Sequence, residues 1–354
     1  MSAPERIPVA VLGASGYAGG ELVRLLLGHP GVELVLAGAN ESAGRRLVEV
    51  HPHLGSMPDA EAIVLEGLEA GPVSERAQAA FLCLPHGMSS KLAPELLEAG
   101  VRVIDLAGDF RLPAPSYPEW YGFDHPAPEW LDKSVYGLTE LFREQLAGAT
   151  LVANPGCYPT PVVLGLAPLL SAGLIEPAPI SVDGKSGVSG AGKGPSDATA
   201  HAATEESVRP YRFPKHQHTP EMEHGLELAT GVGGVEIAFV PHLVPAVRGV
   251  LTTSFGQAAP GVTTESLTDC LEAAYASEPF VRVLAPGEMV DTKRARGSNV
   301  VELQAAADPR TGTVVVAGAL DNLVKGAAGQ AVQNLNVAAG LEESLGLALG
   351  GIYP

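Results

Sequence analysis

Residues 7–27 read IPVAVLGASGYAGGELVRLLL, and this stretch decides the fold that the sequence predicts. It opens with a short apolar run that ends in glycine, as a strand buried inside a parallel sheet does. It closes with the apolar spacing of a helix. Gly13, Gly16 and Gly19 lie between the two elements, where they permit a tight turn and leave the helix N-terminus open to a pyrophosphate. The spacing GxxGxxG is weak on its own, but its place between a first strand and a first helix favours a dinucleotide site over an empty turn.

The alternation of strand and helix continues over the first half of the chain. Parallel strands joined by helices form a sheet with right-handed crossovers and helices on both faces. The sequence therefore predicts a Rossmann-type, doubly wound α/β domain. Its further predicted elements are strands at 32–40, 79–85 and 101–108 and helices at 21–30 and 91–100.

The pattern changes after residue 150, where alternating, β-branched runs indicate a mixed or antiparallel sheet. We expect an α+β catalytic domain over residues 154–323. A Rossmann domain over 1–153 would precede it, and a helical C-terminal segment, 324–354, would complete that first domain. The predicted strands of the second half are 179–187, 235–256 and 313–322, and its predicted helices are 157–175, 267–279 and 324–347.

The composition narrows the functional classes. A net charge of −18 over 354 residues argues against a nucleic-acid binder, which normally presents a basic face. No basic segment followed by an apolar core marks a signal peptide, and Gly and Pro break the apolar runs well short of the ~20 residues of a membrane helix. Three cysteines without a CxxC pair fit a reducing cytoplasm and leave single thiols available for chemistry.

The end of the second predicted strand bears on the choice of dinucleotide. NAD sites usually carry an acid there, whereas the 2′-phosphate of NADP requires basic and hydroxyl groups. Ser42 and Arg45 favour NADP, and Glu41 argues for NAD. A solvated surface turn is the alternative interpretation of Arg45 and Arg46.

The stretch ANPGCYPTP, residues 153–161, places Cys157 behind a Pro-Gly turn and before two prolines that a first helical turn tolerates. A cysteine at a helix N-terminus has a lowered pKa, because the helix dipole stabilises the thiolate. We therefore interpret Cys157 as a nucleophile rather than as a buried structural cysteine. The structural alternative fits Cys83, in a predicted strand, and Cys270, in a predicted helix.

A nucleophilic thiol requires a base within hydrogen-bonding distance. Residues 209–225 contain His216, His218 and His224 among several basic residues. A zinc site would need three or four ligands, and no second His or Cys cluster supplies them. An active-site loop is therefore favoured over a surface loop with incidental histidines.

The stretch GKSGVSGAGKGPS, residues 184–196, is similar to a P-loop but carries Gly194 where magnesium binding needs Ser or Thr. A run of Gly and Ser can still form a nest of N–H groups that binds a phosphate. A flexible loop without a ligand is the alternative.

Seven blocks together resemble a known family. The set resembles the N-acetyl-γ-glutamyl-phosphate reductases, arginine-pathway relatives of the aspartate-semialdehyde dehydrogenases, and it covers nearly the whole chain. The block around PGCYPT is the most specific. In chain order the blocks are GASGYAGGELVRLL (13–26), LPHG (84–87), DLAGDFRL (105–112), ANPGCYPT (153–160), KSGVSGAGK (185–193), HQHTPE (216–221) and DNLVKGAAGQAVQN (321–334).

The resemblance implies a reaction in which N-acetyl-γ-glutamyl phosphate and NADPH give N-acetylglutamate 5-semialdehyde, phosphate and NADP. It implies that Cys157 expels phosphate and carries the acyl group as a thioester, which hydride then reduces. A histidine of the HQH block would be the general acid/base, since imidazole titrates near neutral pH. We choose His216 over His218 for this role.

The resemblance also implies the remaining site residues, a small-molecule acyl phosphate substrate, no metal, and a homodimer or homotetramer held by the α+β domain. The expected cofactor-binding residues are Gly13, Ser15, Gly16, Tyr17, Ala18, Gly19, Ser42, Arg45, Pro85, His86, Gly187 and Asn322. The expected substrate-binding residues are Arg111, Asn154, Lys185, Ser186, Ser189, His218 and Glu221.

Three alternatives stay open at this point. Lysine-pathway relatives reduce an aminoadipyl phosphate on an acidic carrier protein, which would need a basic docking face that a chain at −18 is less suited to offer. A dinucleotide-binding regulatory protein without catalysis is the second alternative. A P-loop phosphotransferase is the third, and Gly194 argues against it.

Overall fold

The computed structural model of the chain describes residues 6–194, 197 and 199–353. Contacts within the chain divide it into two units. The first unit extends to Pro155 and resumes over Ala327–Leu347, and the second covers Gly156–Gly326 and resumes at Ala348.

The first unit alternates strands and helices from its first described residues. Its 3₁₀ turns are Pro52–Leu54, Ala60–Ala62, Ala114–Ser116 and Pro128–Lys133. Its longer elements are β1 (Ile7–Leu12), α1 (Tyr17–Leu27), β2 (Val32–Gly38), α2 (Leu47–Val50), α3 (Ala70–Arg76), β3 (Ala79–Leu82), α4 (Ser89–Glu98), β4 (Arg102–Asp105), α5 (Tyr117–Trp120), β5 (Val135–Tyr136), α6 (Thr139–Leu146) and β6 (Leu151–Ala153).

The rest of the chain mixes long strands with helices. A 3₁₀ turn covers Val188–Ala191, and a π-helical turn covers Val324–Ala328. The elements are α7 (Pro159–Ser171), β7 (Ile180–Ser186), α8 (His201–Thr204), β8 (Arg209–Pro210), α9 (His218–Thr230), β9 (Ile237–Leu243), β10 (Val250–Gln257), α10 (Thr264–Tyr275), β11 (Val281–Val283), α11 (Thr292–Ala295), β12 (Val301–Asp308), β13 (Thr313–Leu320) and α12 (Gly329–Ala338).

The sheet of the first unit is parallel and has the order β2-β1-β3-β4-β6-β5. Alternate residues of β1 enter two different cores: Val9 and Val11 pack with α1 and α12, whereas Ala10 and Leu12 pack with α3 and α4. Both faces of the sheet are therefore covered, which explains why β1 is apolar throughout. The strand order reverses direction between β1 and β3, and in such sheets ligands bind outside the carboxyl ends of the strands at this switch point.

The sheet of the second unit is mixed and has the order β11-β12-β13-β10-β7-β9-β8. Glycines at 165 and 318 show which face the helices cover. A Cβ built on Gly165 would meet Val316 of β13, and one built on Gly318 would meet Pro161 of α7. The opposite face includes Phe255 of β10, which is 41% exposed. The predicted fold class, a Rossmann-type domain plus an α+β domain, is confirmed.

Two predicted segments differ from the structure. Residues 209–225 are not one loop, because α9 begins at His218 with Pro220 in its first turn, a position that proline favours. The predicted long helix 324–347 is a π-helical turn followed by α12, which ends at Ala338 just before Gly340 with φ 73°. The tail from Ala348 belongs to the second unit rather than the first, since Asn299 N–H donates to its Ala348 carbonyl.

Candidate active site

The turn between β1 and α1 needs glycine at two positions for steric reasons. A Cβ on Gly13, whose φ is 91°, would lie 2.1 Å from the Cys83 carbonyl oxygen at the end of β3. A Cβ on Gly19 would lie 2.2 Å from the Gly13 carbonyl oxygen. Gly16 is different, because its Cβ would meet only that same oxygen at an ordinary 3.6 Å. Packing within the chain therefore does not require Gly16, whereas a close approach by a pyrophosphate to the α1 N-terminus does.

The other expected residues of this turn border the α1 N-terminus. Gly16 is the N-cap residue and makes no side-chain capping hydrogen bond. Ser15 and Ala18 are half-buried, and Tyr17 is 43% exposed. A histidine that the sequence did not single out supports the turn: the buried His51 ring places Nε2 2.8 Å from the Ala14 carbonyl oxygen, and a Cβ on Gly20 would collide with that ring.

The segment after β2 carries the residues expected to discriminate between the two dinucleotides. Ser42 is half-buried, and Arg45 and Arg46 are exposed. Both arginines pair with Glu49, at 3.8 Å from Arg45 Nε and 3.0 Å from Arg46 Nε. The Arg46 hydrogen bond lowers the pKa of the Glu49 carboxyl. Exposed pairs of this kind are weak, so a phosphate could compete for these guanidinium groups.

The turn after β3 holds Pro85 and His86, which are both exposed. A buried carboxylate holds this turn: Asp109 accepts the N–H groups of Gly87 and Ser90, each at 2.9 Å, and the Ser90 hydroxyl at 2.9 Å. Asp109 thus ties the turn to the first turn of α4. Sequence reasoning missed Asp109, although DLAGDFRL places a second acid four residues after Asp105.

Asp105 lies at the end of β4 and is fully buried. Its carboxylate accepts three backbone N–H groups, those of Ala107, Gly108 and Asp109. Burial and then the neighbouring Asp109 charge raise the pKa of Asp105 to about 6. The two acids therefore form a buried pair whose carboxylates both accept backbone N–H groups.

Cys157 is half-buried and lies two residues before α7, with Tyr158 as the N-cap residue and Pro159 as the first helical residue. The predicted place near a helix N-terminus is therefore confirmed. The π-helical turn packs directly on this cysteine, since a Cβ on Gly326 would lie 2.8 Å from Cys157 Cβ. π-helical turns are rare and frequent at functional sites. No local sequence pattern indicates this contact, apart from the glycine after Lys325.

The other two cysteines lie in environments that suppress reactivity. Burial raises the pKa of the Cys83 thiol well above its ordinary value, and the nearby Asp105 charge raises it further. Burial also raises the pKa of Cys270, whose Sγ is 3.5 Å from the Pro168 carbonyl oxygen in the second unit. A raised pKa leaves little thiolate at neutral pH, so both fit the structural interpretation.

The predicted histidines gather with aromatic rings in the second unit. His216 is 4% exposed, and its Nδ1 accepts the backbone N–H of His218 at 3.1 Å. Its ring centroid lies 4.7 Å from that of His218 and 6.1 Å from that of Tyr158, the residue after Cys157. His224 lies further along α9, where burial lowers its pKa.

Two tyrosines mark the neighbourhood of the thiol. The Tyr211 hydroxyl donates to the Tyr158 hydroxyl at 3.4 Å. Burial raises the pKa of Tyr211 to about 12, and negative charge on Cys157 adds to this effect. Burial likewise raises the pKa of Tyr158, with Cys157 again contributing. Tyr158 and Tyr211 therefore lie near both Cys157 and His216.

Two residues expected to bind substrate are buried in the first unit and make backbone contacts. Arg111 is 6% exposed, and its guanidinium donates to the carbonyl oxygens of Asn154 at 2.7 Å and Leu106 at 3.0 Å. Asn154 donates to the Ala327 carbonyl at 3.2 Å and accepts from Asn334 at 2.9 Å. Both side chains therefore stabilise the approach to the Cys157 turn.

The remaining expected residues surround the end of β7. Asn322 accepts the Gly249 N–H at 2.7 Å and donates to the Ser189 hydroxyl at 2.9 Å. Ser186 donates to the Gly187 carbonyl at 2.9 Å. Lys185 is half-buried, and its Nζ lies 2.6 Å from an Asp183 carboxylate oxygen.

The anion nest considered for 184–196 receives no support here. The N–H groups of Gly187, Val188 and Ser189 donate to backbone carbonyls of 246–249, so they are engaged within the chain. Pro195 and Ser196, at the end of that stretch, lie outside the described residues.

Comparison with known proteins places these features in a context. A family model described as semialdehyde dehydrogenase, NAD binding domain, matches residues 8–149, and one described as semialdehyde dehydrogenase, dimerisation domain, matches residues 157–322. The chain is 47% identical over 349 residues to an N-acetyl-gamma-glutamyl-phosphate reductase of Desulforudis audaxviator, covering 98% of the chain and 100% of the relative. An enzyme of the same name from Symbiobacterium thermophilum is 46% identical, with 98% and 99% covered.

Solved structures show the same fold at low identity. Aspartate semialdehyde dehydrogenase II from Vibrio cholerae, complexed with ASA, has a TM-score of 0.72 and 19% identity, covering 95% of this chain and 98% of that chain. Aspartate semialdehyde dehydrogenase with NADP from Candida albicans has a TM-score of 0.68 and 16% identity, with 95% and 99% covered. In the described part of the chain, no helix is long and apolar enough to cross a membrane.

Proposed function

Because this chain belongs to the family of N-acetyl-γ-glutamyl-phosphate reductases, we propose that it reduces N-acetyl-γ-glutamyl phosphate to N-acetylglutamate 5-semialdehyde in arginine biosynthesis. The observation that carries the proposal is Cys157, half-buried before α7 and near His216, while the other two thiols have raised pKa values. The curated relatives bear the arginine-pathway name, so a carrier-linked lysine enzyme and a regulatory protein are not favoured.

The first chemical step exchanges phosphate for sulfur. The Cys157 thiolate attacks the acyl carbon, the bond from that carbon to the phosphate oxygen breaks, and phosphate leaves with the electron pair. For this step the His216 ring is protonated, so its Nδ1 no longer accepts the His218 N–H, and the ring gives one proton to the departing phosphate and later regains one from water. The product is a neutral thioester, whose carbonyl carbon accepts hydride more readily than an acyl phosphate among repelling anions.

The second step returns the thiol to its starting state. NADPH supplies a hydride when it is bound. The thiohemiacetal that results on Cys157 breaks its C–S bond, which releases the aldehyde and regenerates the thiolate. One proton is consumed per turnover, and it is the proton that His216 gave to phosphate.

The residues of the first unit fit a dinucleotide. Gly16 lies at the N-terminus of α1, where no side chain caps the helix and where packing within the chain does not require glycine. Gly13, Gly16 and Gly19 would hold the pyrophosphate. Ser42 and Arg45 would hold a 2′-phosphate, which makes NADP the proposed cofactor. Pro85, His86, Gly187 and Asn322 are proposed as the remaining cofactor-binding residues.

Lys185 is the residue best suited to meet a substrate anion, because its side chain is 35% exposed and its partner Asp183 is a 42% exposed carboxylate, a weak pairing that an anion can replace. Arg111 is proposed to add positive charge to the substrate site. Ser186, Ser189 and Asn154 are proposed as the neutral donors around the acyl group, with His218 beside them.

We propose that the enzyme works as a homodimer or homotetramer in the cytoplasm. The sheet face of the second unit that carries Phe255, which is 41% exposed, also carries Val315 and Ala317 of β13, beside polar residues of β7 such as Ser181. A second copy would cover this face. Three free cysteines suit a reducing compartment.

Substrate choice tests the proposal. The purified protein is given phosphate and NADP or NAD with N-acetylglutamate semialdehyde, the aminoadipate analogue or aspartate semialdehyde, and reduced cofactor is followed by absorbance. We expect the highest kcat/KM with N-acetylglutamate semialdehyde and NADP. A higher value with either analogue, or no turnover with any of the three, would refute the assignment.

A further inference from the structure

Gly156, the residue before Cys157, is held by the first turn of α9. Glu221 Oε1 accepts the Gly156 N–H at 2.7 Å, and Glu221 is 0% exposed. On the other side, a Cβ built on Gly156 would lie 2.5 Å from His218 Nε2, so the imidazole rests on the Gly156 Cα. Glycine is therefore required at position 156 by His218.

The spacing of the two α9 residues explains this arrangement. His218 and Glu221 are three residues apart in a helix and thus lie on one face. A carboxylate in the first turn is also favoured by the positive end of the helix dipole. His218 and Glu221 of the HQHTPE block therefore both contact the backbone of Gly156.

The carbonyl group of Gly156 is fixed as well. It accepts the Thr160 N–H at 3.1 Å and the Thr160 hydroxyl at 2.9 Å, both from the first turn of α7. Both peptide groups that flank the Gly156 Cα are therefore hydrogen-bonded, one to α9 and one to α7. The position of the Cys157 backbone follows from these bonds.

We propose that Glu221 is a positioning residue for Cys157, acting through the Gly156 N–H rather than through the substrate. This inference rests on the proposed function, in which Cys157 is the nucleophile. A fully buried carboxylate is poorly suited to meet an acyl phosphate, because like charges repel. It is well suited to orient an N–H group, because hydrogen bonds to a carboxylate are short and strong.

Removal of the acceptor would leave the Gly156 N–H without its partner and release the turn. Misplacement of a reacting group by about 1 Å can cost about 100-fold in rate. Glu221→Ala is therefore expected to lower kcat about 100-fold with a KM for the acyl phosphate near that of the wild type. Glu221→Gln keeps an oxygen of the same reach, so its loss is expected to stay within about tenfold.

The free enzyme gives a readout that needs no substrate. The rate of Cys157 alkylation by iodoacetamide, followed by peptide mass spectrometry from pH 6 to 10, measures the place and ionisation of the thiol. We expect Glu221→Ala to slow alkylation at the upper end of this pH range, where the thiol is ionised, because the released turn no longer holds it in place. Glu221→Gln is expected to stay close to the wild type there.

The matched control is Glu223→Ala on the same helix. Glu223 Oε1 accepts the Ile237 N–H at 2.9 Å, which is the same kind of bond directed at β9 instead of at Gly156. We expect this variant to lose stability without a change in Cys157 alkylation. If Glu221→Ala does not fold, Glu221→Asp is used in its place, because its side chain is one methylene shorter. It is then compared with Glu221→Gln.

Two results would overturn the inference. One is a raised KM for the acyl phosphate in Glu221→Ala with kcat and alkylation unchanged, which identifies a substrate contact. The other is an equal loss in Glu221→Gln and Glu221→Ala, which identifies a need for charge. A wild-type protein without reductase activity would refute the proposed function instead, and the alkylation arm would still decide the role of Glu221.

Discussion

At the scale of single residues, environment separates one cysteine from the other two. Cys157 lies before a helix, half-buried, among two histidines and two tyrosines, whereas burial raises the pKa values of Cys83 and Cys270. The sequence predicted correctly that Cys157 lies before a helix, because the Pro-Gly turn and the helix signal that follows it are local. Contacts from distant segments, such as Gly326 on Cys157, left no local signal.

Gly326 gives the first prediction. Gly326→Ala would place a Cβ 2.8 Å from Cys157 Cβ, so the thiol or the π-helical turn must shift. We expect kcat to fall about 100-fold and Cys157 alkylation to slow. Gly233→Ala is the control, because a Cβ there meets nothing within 4 Å. Equal behaviour of the two variants would show that the close approach at 326 has no functional role.

Arg45 gives the second prediction. Its exposed guanidinium would contact the 2′-phosphate, a charge-assisted contact worth about 1.5–3 kcal/mol. Arg45→Ala is therefore expected to raise the KM for NADPH by roughly 10- to 100-fold and to leave the KM for NADH unchanged. Steady-state kinetics with both cofactors provide the check. A parallel rise for NADH would place Arg45 elsewhere in the site.

At the scale of elements, the loops at the carboxyl ends of β3 and β4 are linked through a buried carboxylate. Asp109 bonds the Gly87 and Ser90 N–H groups, and its own N–H bonds Asp105. The sequence located these strands but not the link between them. These hydrogen bonds join segments about 20 residues apart and form only when the sheet has assembled, so the spacing of apolar residues does not predict them.

Asp109→Asn gives the third prediction. An amide offers one acceptor oxygen and turns an NH₂ group toward donors, so the Gly87 turn with Pro85 and His86 loosens. We expect the KM for NADPH to rise about tenfold, with a smaller change in kcat. Asp124→Asn, at an exposed site of the same unit, is the control. A variant that loses kcat alone would exclude a role through the cofactor turn.

At the scale of the whole molecule, the two units differ in their sheets and in the candidate site residues that they carry. The first has a covered parallel sheet with glycines at its switch point, and the second has a mixed sheet with helices on one face and the thiol before α7. Sequence patterns predicted both classes, because burial on two faces and burial on one face give different periodicities. The same patterns did not predict that α9 begins at His218, because the polar and histidine-rich residues there do not show the apolar spacing of a helix.

The exposed sheet face gives the fourth prediction. Phe255→Asp places a charge at the centre of the proposed subunit contact and is expected to yield monomers by light scattering after size exclusion. Leu228→Asp, which alters an apolar residue that is 50% exposed on α9, is the control and is expected to keep the wild-type mass. A monomeric wild type, or an unchanged mass of Phe255→Asp, would contradict this contact.

Cys157 is proposed to carry the acyl group, and an experiment without NADPH can detect that intermediate. N-acetyl-γ-glutamyl phosphate is mixed with the enzyme without NADPH, phosphate release is recorded in a rapid-quench experiment, and the intact protein is weighed by mass spectrometry. Wild type is expected to release about one phosphate per active site as a burst and to gain the acyl mass on Cys157. Cys157→Ser is expected to show neither the burst nor the adduct and to lose reductase activity. Full reductase activity in Cys157→Ser, or a wild-type burst without an adduct on Cys157, would contradict the claim.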